Sequence, residues 1–450
     1  MTKVKRIGNI WEKIVDRDNI CRALYNAAEG LRKRKSVVWH LDHADETVDA
    51  IREILLRGKF KTANYRSRTI KEPKEREIFI LPFFPDRIVQ HAVVDVVAPL
   101  VWEPTFIYDS YACRKGKGAH RGVVRTARFV RSNKYDFKYD IRGFYRHIDH
   151  GVMKEIVRKK IKDERVLALL DDIIDSYPGD TNCPIGNLTS QWFGNLYLNE
   201  LDHYVKEELG VKCYIRYCDD FHVFGNYKSE MRWWDVCIAA FVKDILKLEF
   251  SKRSLSQTRN GCDFLGYRIF KDKILLRKST ALRMKRRMRG LWRVVENGDL
   301  DANRLLSILG SLANMLGACR FAQTHNLVVA TRMKELYDVV LRKYKAVRGN
   351  GDSGCRGRGK GEDAGSSEQG DSHYQDGAAN IEPRGPGRII PAVCDHSVLF
   401  CERRGKTSPS CLHRVKKHNR TTRQPEHDLS MSGDDQDDGE VFLSDIKEAA

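Results

Sequence analysis

The sequence predicts an α+β fold: a strand-rich centre enclosed by helices, followed by a helical C-terminal part. Alternating apolar and polar residues, the pattern of half-buried strands, recur in four short segments, 69–82, 135–141, 212–225 and 262–270. Apolar residues at helical spacing occur before, between and after these segments. Strands interleaved with helices and then replaced by helices indicate an α+β core with a helical appendage.

The predicted helices follow from apolar spacing. Residues 1–60 are predicted to form a helical N-terminal extension, because TVDAIREILLRGKF repeats at helical spacing and Gly58 closes the run. Further helices are predicted over 86–102, 189–209, 279–293 and 304–344.

The predicted strands differ in how they pair. The segment 69–82 contains two extended runs, RTIKEP and EREIFILP, and is predicted to be a strand pair. YDFKYDI (135–141) and CDFLGYRIF (262–270) are each predicted to be one strand. KCYIRYCDDFHVFG (212–225) is predicted to be a hairpin with its two acids in the turn.

Charge divides the chain into two parts. The 450 residues contain 80 Lys and Arg against 61 Asp and Glu, a net charge of +19. Residues 347–450 are rich in glycine and carry 15 basic against 18 acidic residues, which leaves +22 on the rest. We therefore predict a basic folded body that binds a polyanion, most simply nucleic acid, and a low-complexity, disordered tail.

Membrane and secreted classes are disfavoured. The mean hydropathy is −0.52, and the most apolar stretch, 88–102, contains His91 and Asp95. The N-terminus has no apolar signal region, and the twelve cysteines form no CxxC pair. We expect a cytoplasmic protein with reduced thiols and no membrane partner.

Three carboxylates form the first candidate site. Asp140 ends a predicted strand, and Asp219 and Asp220 lie side by side in the hairpin. Acids in apolar surroundings need neutralisation, and hard divalent cations prefer carboxylate oxygens. The Asp pair alone could be a solvated turn, but a third acid on a second strand favours metal. Such a triad can hold two Mg²⁺ about 3.5–4 Å apart for an in-line displacement of pyrophosphate by a 3′-hydroxyl.

A second candidate site is CPIGNLTSQWFGNLYLNELD. Gly186 allows close backbone approach, and Ser190 and Gln191 open the following helix. Taken alone, the segment could be an ordinary helix start capped by Asn187 or Thr189.

Together, in this order, the Asp140 motif, the Gly-x-x-x-Ser motif, YCDD and FLGYRIF resemble the palm of a reverse transcriptase, over roughly residues 50–345. PDRIVQHAVVDVVAPLVWEPTFIYDSYACRKGKGAHRG resembles the finger region of bacterial reverse transcriptases related to group II introns. Those relatives usually carry Gln-Gly-x-x-x-Ser-Pro, whereas Ile185 and Gln191 stand here in place of Gln and Pro. The pattern Ile-Gly-x-x-x-Ser-Gln is similar to reverse transcriptases of diversity-generating retroelements.

The resemblance implies a right-hand polymerase fold. Residues 61–278 would be the fingers and palm, an antiparallel sheet with helices, and residues 279–346 a helical thumb lying on the duplex. The thumb contains RMKRRMRGLWR, whose charges could instead be a solvated helix face. The disordered tail at 347–450 would follow.

The resemblance also assigns residues to roles. Asp140, Asp219 and Asp220 would be catalytic, and with Ile141 they would form the metal site. Tyr145 would be the steric gate against ribonucleotides, although an aromatic in GFY could equally pack in the core. The other nucleotide-binding residues would be Lys71, Arg76, Gly143, Phe144, Ile185, Gly186, Ser190 and Gln191. Phe264, Leu265 and Gly266 would support the primer terminus. His147, His150 and His222 receive no role.

The function implied by the resemblance is RNA-directed DNA synthesis by a bacterial or phage-encoded nucleotidyltransferase. It would copy a template RNA, through an RNA–cDNA duplex, into adenine-mutated cDNA that rewrites a target gene. It would use dNTPs and two Mg²⁺, with Mn²⁺ as a substitute, and a small, basic, oligomeric accessory variability protein. Two alternatives remain: a reverse transcriptase of phage defence or abortive infection, and an RNA-binding protein on a dead polymerase scaffold.

Overall fold

The computed structural model describes residues 6–70 and 75–352, in which helices surround antiparallel sheets. Lys71 and residues 353–450 of the predicted tail lie outside the described residues. The helices are α1 (Trp11–Ile14), α2 (Arg17–Ala27), α3 (Lys35–Asp42), α4 (Ala44–Leu56), α5 (Ile88–Val97), α6 (Ala119–Ser132), α7 (His150–Lys160), α8 (Glu164–Ile174), α9 (Leu188–His203), α10 (Lys228–Asp244), α11 (Lys278–Asn297), α12 (Ala302–Cys319), α13 (His325–Ala330) and α14 (Met333–Asp352).

The strands form three antiparallel sheets. They are β1 (Arg66–Ile70), β2 (Arg76–Ile80), β3 (Tyr135–Ile141), β4 (Tyr214–Tyr217), β5 (Asp220–Gly225), β6 (Phe250–Gln257), β7 (Cys262–Phe264), β8 (Tyr267–Ile269) and β9 (Ile274–Leu276). Strands β1 and β2 form one sheet, the central sheet has the order β4–β5–β3–β6, and the third has the order β7–β8–β9. The predicted α+β class is confirmed at this level.

The central sheet separates an apolar face from a polar one. Alternation sends Phe137 and Tyr139 of β3 into the main core, where the rings of Tyr139 and Phe221 stack at 4.7 Å. The intervening residues Asp136, Lys138 and Asp140 must therefore lie on the opposite face. Their register partners on β5 are Phe224, His222 and Asp220. The register of two strands thus gathers the polar residues of both segments.

Two predicted elements are interrupted. The single strand predicted over 262–270 is instead β7 and β8, joined by a turn in which Leu265 and Gly266 have φ of 52° and 84°. A two-residue hairpin turn needs left-handed backbone, which the apolar pattern does not reveal. The helix predicted over 304–344 is instead α12, α13 and α14. The chain leaves helical geometry at Arg332, whose φ is 50°, between α13 and α14.

Four helices, α6, α7, α8 and α10, were not among the sequence predictions. The start of α7 carries a recognisable signal, because the Asp149 carboxylate accepts a hydrogen bond from the Val152 amide at 2.9 Å. Helix α14 continues past residue 346, where the folded body was predicted to end. Within residues 6–70 and 75–352, every helix is too short or too polar to cross a membrane.

Candidate active site

Asp140, Asp219 and Asp220 come together at one end of the central sheet. Asp140 of β3 and Asp220 of β5 are register partners, and Asp219 lies in the turn between β4 and β5. Cys218 precedes it with a φ of 53°, a left-handed conformation that tightens this turn. Strand pairing and the adjoining tight turn therefore group the three predicted acids.

The electrostatics of this group are unfavourable without a cation. Burial, together with the charges of Asp140 and Asp220, raises the pKa of Asp219 to about 6, against the lowering influence of nearby Arg76. Burial also raises the pKa of the Asp220 carboxyl, against the lowering influence of His222 and Lys138. The anions of Asp219 and Asp220 are thus destabilised mainly by loss of water, and further by the neighbouring carboxylates.

The acids have the chemistry to hold a divalent cation. Asp220 Oδ1 is buried and has no hydrogen-bond partner among the described residues. Asp140 Oδ2 accepts a hydrogen bond from Ser251 Oγ, which orients that carboxylate. An anionic, all-oxygen set with an unsatisfied buried oxygen fits Mg²⁺ or Mn²⁺. Ile141 buries its side chain in the core, so only its backbone could join the site.

A second cluster of residues that could bind a metal lies on the same face of the central sheet as the acids. The side-chain atoms of Asp136, His222 and Cys262 that could bind a metal are buried and lie within 4.8 Å of one another. Among the described residues this group meets that spacing, whereas the predicted triad does not. His222 Nδ1 and Asp136 Oδ1 are 2.7 Å apart, and Cys262 Sγ lies 3.6 Å from the same nitrogen. Burial holds the pKa of the Cys262 thiol well above its usual value. The three side chains thus contact one another as a hydrogen-bonded group. A zinc site, by contrast, uses a cysteine thiolate and usually four ligands.

A buried ion pair supports the turn from beneath. The guanidinium of Arg216, fully buried, contacts Asp202 Oδ2 at 2.6 Å and donates to the carbonyl of Cys218 at 3.1 Å. It also donates to Asn195 Oδ1 at 3.1 Å. Because Cys218 precedes Asp219, this network fixes the backbone from which Asp219 projects.

The segment after Asp140 brings an aromatic residue beside the acids. Gly143 has a φ of 49°, and the buried Phe144 packs in the core. Tyr145 is half-buried, and its ring lies where a Cβ on Gly194 would be only 3.1 Å away. Burial, with smaller contributions from Asp219 and nearby thiols, holds the pKa of Tyr145 well above 10. The predicted gate residue thus lies close to a predicted metal ligand.

The Ile185 segment is joined to β2 through its backbone. The Phe79 amide donates to the Ile185 carbonyl at 2.7 Å. A Cβ on Gly186 would lie 2.6 Å from the Phe79 carbonyl oxygen, so glycine is required there, at a φ of 119°. Ser190 is buried and donates to the Pro184 carbonyl at 2.7 Å, while Gln191 is half-buried. Arg76 begins the same strand β2, three residues before Phe79.

The hairpin of Phe264, Leu265 and Gly266 covers the polar face of the sheet. Phe264 is buried, and its ring meets His222 edge-on at 4.8 Å. Leu265 approaches Gly122 of α6, where an added Cβ would lie 2.9 Å from it. The structure thus places the predicted primer-supporting turn next to the β5 strand that carries Asp220.

Comparison with protein families agrees with this geometry. Residues 71–269 match the family described as reverse transcriptase (RNA-dependent DNA polymerase). The matched region is thus similar to a reverse transcriptase domain. It contains the three acids, the Ile185 segment and the β7–β8 hairpin.

The curated relatives that this chain matches are distant. Group II intron-encoded protein LtrA of Lactococcus lactis subsp. cremoris is 24% identical over 172 residues, 36% of this chain and 28% of that protein. Protein YkfC of Escherichia coli is 24% identical over 241 residues, covering 43% and 63%. Nuclear intron maturase 4, mitochondrial, of Arabidopsis thaliana is 22% identical over 212 residues, covering 44% and 25%. The chain matches less than two thirds of the length of each.

Three polar residues beside the three acids were not predicted. Lys138 and His222 lie two positions from Asp140 and Asp220, so strand alternation could have placed them on the same face. Ser251 reaches Asp140 from β6, where the register shifts between Asp140 and Ile141. An irregularity of this kind gives no sequence signal.

Proposed function

We propose that this protein is an RNA-directed DNA polymerase that extends a primer on an RNA template. The observation that carries the proposal is the pairing of Asp140 with Asp220 across β3 and β5, with Asp219 in the adjoining turn. This arrangement puts three carboxylates at one end of the central sheet, in the region that matches the reverse transcriptase family. The similarity to group II intron-encoded proteins supports the same chemistry.

In the proposed mechanism, Asp140, Asp219 and Asp220 hold two divalent cations. When bound, these cations would activate the primer 3′-hydroxyl and stabilise the leaving pyrophosphate. Ser251 orients the Asp140 carboxylate, and Arg216 fixes the turn that carries Asp219. The chain's own contribution is therefore to hold three acids in one place before substrate arrives.

Other residues select and align the substrate. Tyr145 lies beside Asp219 and would collide with a 2′-hydroxyl, which favours dNTPs over ribonucleotides. Arg76 supplies positive charge near the same acid, where a triphosphate would lie. The backbone of Gly143 and Phe144, with the Ile185–Gln191 segment on the other side, would complete the nucleotide pocket. The turn of Phe264, Leu265 and Gly266 would support the primer terminus.

The finer proposal is a role in a diversity-generating retroelement. It rests on Ile185 and Gln191, which replace the Gln and Pro usual in group II intron relatives. The product would be cDNA mutated at template adenines, made with a small basic accessory protein. The test is the neighbouring DNA together with the cDNA: a repeat pair that differs only at adenines of one copy, and adenine-biased errors in cDNA, are expected. Uniform errors and no such repeat would instead favour the phage-defence alternative.

Primer extension tests the polymerase itself. Asp219→Asn should abolish cDNA synthesis and leave RNA binding intact, since an amide cannot supply the charge that holds Mg²⁺. Asp244→Asn, an exposed acid at the end of α10, is the matched control and should retain activity. Full activity of Asp219→Asn would refute the assignment of the acids. Loss of RNA binding along with activity would indicate misfolding and would be checked by thermal unfolding.

A further inference from the structure

A group of three polar side chains lies next to Asp220 on the polar face of the central sheet. We call Asp136, Lys138 and His222 the support ladder. Lys138 and His222 are register partners, one pair further along the strands from Asp140 and Asp220. Asp136 lies two residues further along β3, on the same face. The roles assigned above to metal, nucleotide and primer do not use these three residues.

One side of the ladder reaches one oxygen of Asp220. His222 Nδ1 contacts the buried Asp136 Oδ1 at 2.7 Å, which fixes the plane of the imidazole ring. The other ring nitrogen, Nε2, then faces Asp220 Oδ1 at 3.7 Å. Neither of these two atoms has a hydrogen-bond partner among the described residues. The imidazole ring therefore limits rotation of the Asp220 carboxylate by steric contact.

The other side of the ladder reaches the second oxygen. Lys138 Nζ lies 3.4 Å from Asp220 Oδ2 and donates to the carbonyl of Asp263 at 2.8 Å. Asp263 belongs to β7, directly before Phe264 of the turn predicted to support the primer. One ammonium group thus contacts both a predicted metal ligand and the hairpin that covers it.

We propose that Lys138 is a positioning residue that holds Asp220 and the β7–β8 hairpin at a fixed separation, with the His222 ring packed against the opposite oxygen of the same carboxylate. The inference rests on the proposed polymerase function. In-line displacement requires the primer hydroxyl and the metal ligands to be aligned closely, so a small error in this separation slows the chemical step. Lys138 would act through Asp220 and the hairpin, without touching substrate.

A simpler role would give different results. If Lys138 only neutralised Asp220 in the absence of a cation, bound Mg²⁺ would replace it, and its loss would leave kcat unchanged at saturating Mg²⁺. If it held the hairpin, its loss would loosen the hairpin even without metal or substrate. Measurements on the metal-free protein and on the active enzyme therefore separate the two roles.

The first experiment is hydrogen–deuterium exchange on the full-length, metal-free protein. Lys138→Met removes the ammonium and keeps the length of the side chain, Lys138→Arg keeps a charged donor, and Lys134→Met changes an exposed lysine just before β3. Amides of residues 262–269 should exchange about tenfold faster in Lys138→Met, because one charge-assisted hydrogen bond is lost. Lys138→Arg and Lys134→Met should exchange as the parent protein does. Unchanged exchange in Lys138→Met would overturn the proposal.

The second experiment is primer extension at saturating Mg²⁺. For Lys138→Met, kcat should fall about tenfold or more, with the KM for dNTP and the Kd for primer–template little changed, and Lys138→Arg should recover most of the loss. Unchanged kcat, or equal losses in the Met and Arg variants, would overturn the proposal. Failure of the proposed function is distinguishable, because the parent protein would then be inactive while the exchange experiment still reports on the hairpin.

Discussion

Asp140 and Asp220 occupy one register position of two antiparallel strands, which places both carboxylates on the same face of the central sheet. A slip of one residue in this pairing would turn one of them toward the apolar core beside Tyr139 and Phe221. The aromatic packing on the other face opposes such a slip, because Tyr139 and Phe221 stack against each other. The core of the sheet thus specifies the geometry of the acids.

The first prediction concerns pH and stability. In the folded state the pKa of Asp219 is about 6, above the ordinary 3.8, because burial and the neighbouring acids disfavour its anion. Its contribution to stability is therefore fully present below about pH 4 and is lost as the pH rises through 6. The shift corresponds to up to about 3 kcal/mol. We expect the unfolding midpoint in EDTA to fall over this window, and Mg²⁺ to restore it above pH 6.

Asp219→Asn provides the comparison, because an amide does not titrate. The unfolding midpoint of the variant should change less between pH 4 and 7, and Mg²⁺ should raise that midpoint less than in the parent protein. An equal slope in both proteins would mean that another group controls this pH range.

The second prediction concerns the ion pair under the turn. Arg216→Met leaves the buried carboxylate of Asp202 without its ion-pair partner, so the free energy of unfolding should fall by about 3–5 kcal/mol. Urea unfolding measures the loss. Adding Asp202→Asn should recover part of it, and a double variant no more stable than the single one would argue against the ion pair as the cause.

Strand alternation predicted much of this site from sequence. The pattern in 135–141 and 212–225 gave β3 and the β4–β5 hairpin. It put both acids in the hairpin turn, whereas in the structure Asp219 lies in that turn and Asp220 begins β5. Apolar spacing likewise gave α4, ending before Gly58, and the start of α9. These features depend on local periodicity, which a single sequence contains.

Features that depend on long-range contact or on backbone conformation were not predictable. The carbonyl of Ile185 meets the amide of Phe79, 106 positions earlier in the chain, and no local pattern indicates that contact. The left-handed conformation of Leu265 divides an apolar run that looks like one strand. The sequence pattern shows Lys138 only as one of the polar residues that alternate along β3. Its two partners lie on β5 and β7, so its contacts could not be predicted from the local sequence.

The third prediction concerns sugar selection. Tyr145→Ala should raise ribonucleotide incorporation relative to dNTPs by about tenfold or more, because the ring beside Gly194 and Asp219 is removed. Tyr145→Phe keeps the ring and should keep selectivity. Competition assays with matched ribonucleotides and dNTPs measure the ratio. Equal loss of both activities with a lower unfolding midpoint would instead identify Tyr145 as a packing residue.

The fourth prediction concerns RNA binding. Residues 353–450 carry 14 Lys and Arg against 17 Asp and Glu, so they add no net positive charge. A protein ending at residue 352 should bind RNA as the full chain does, with log affinity falling linearly with log salt. Fluorescence anisotropy from 50 to 200 mM salt measures the slope. Loss of most of the affinity on truncation would place RNA contacts in the removed segment.

The last prediction concerns fidelity and Ile185. Its carbonyl is fixed to the Phe79 amide, so the backbone should tolerate a change of side chain. In relatives with Gln at this position, the resemblance places the polar group by the incoming nucleotide and the template base pair. An apolar Ile185 offers no hydrogen bond there, so selection depends more on the shape of the base pair. One such contact, worth about 1–1.5 kcal/mol, corresponds to roughly a tenfold change in selection.

Ile185→Gln should therefore lower misincorporation opposite template adenine by up to about tenfold, with a smaller effect opposite other bases. The emphasis on adenine comes from the resemblance to diversity-generating retroelements. Sequencing of cDNA made by both proteins on one RNA template measures the error frequencies, with Ile185→Leu as the apolar control that should behave as the parent. If Ile185 only packs against β2, all three proteins will show equal adenine errors. That result would remove Ile185 from the fidelity argument and leave the roles of Asp140, Asp219 and Asp220 unaffected.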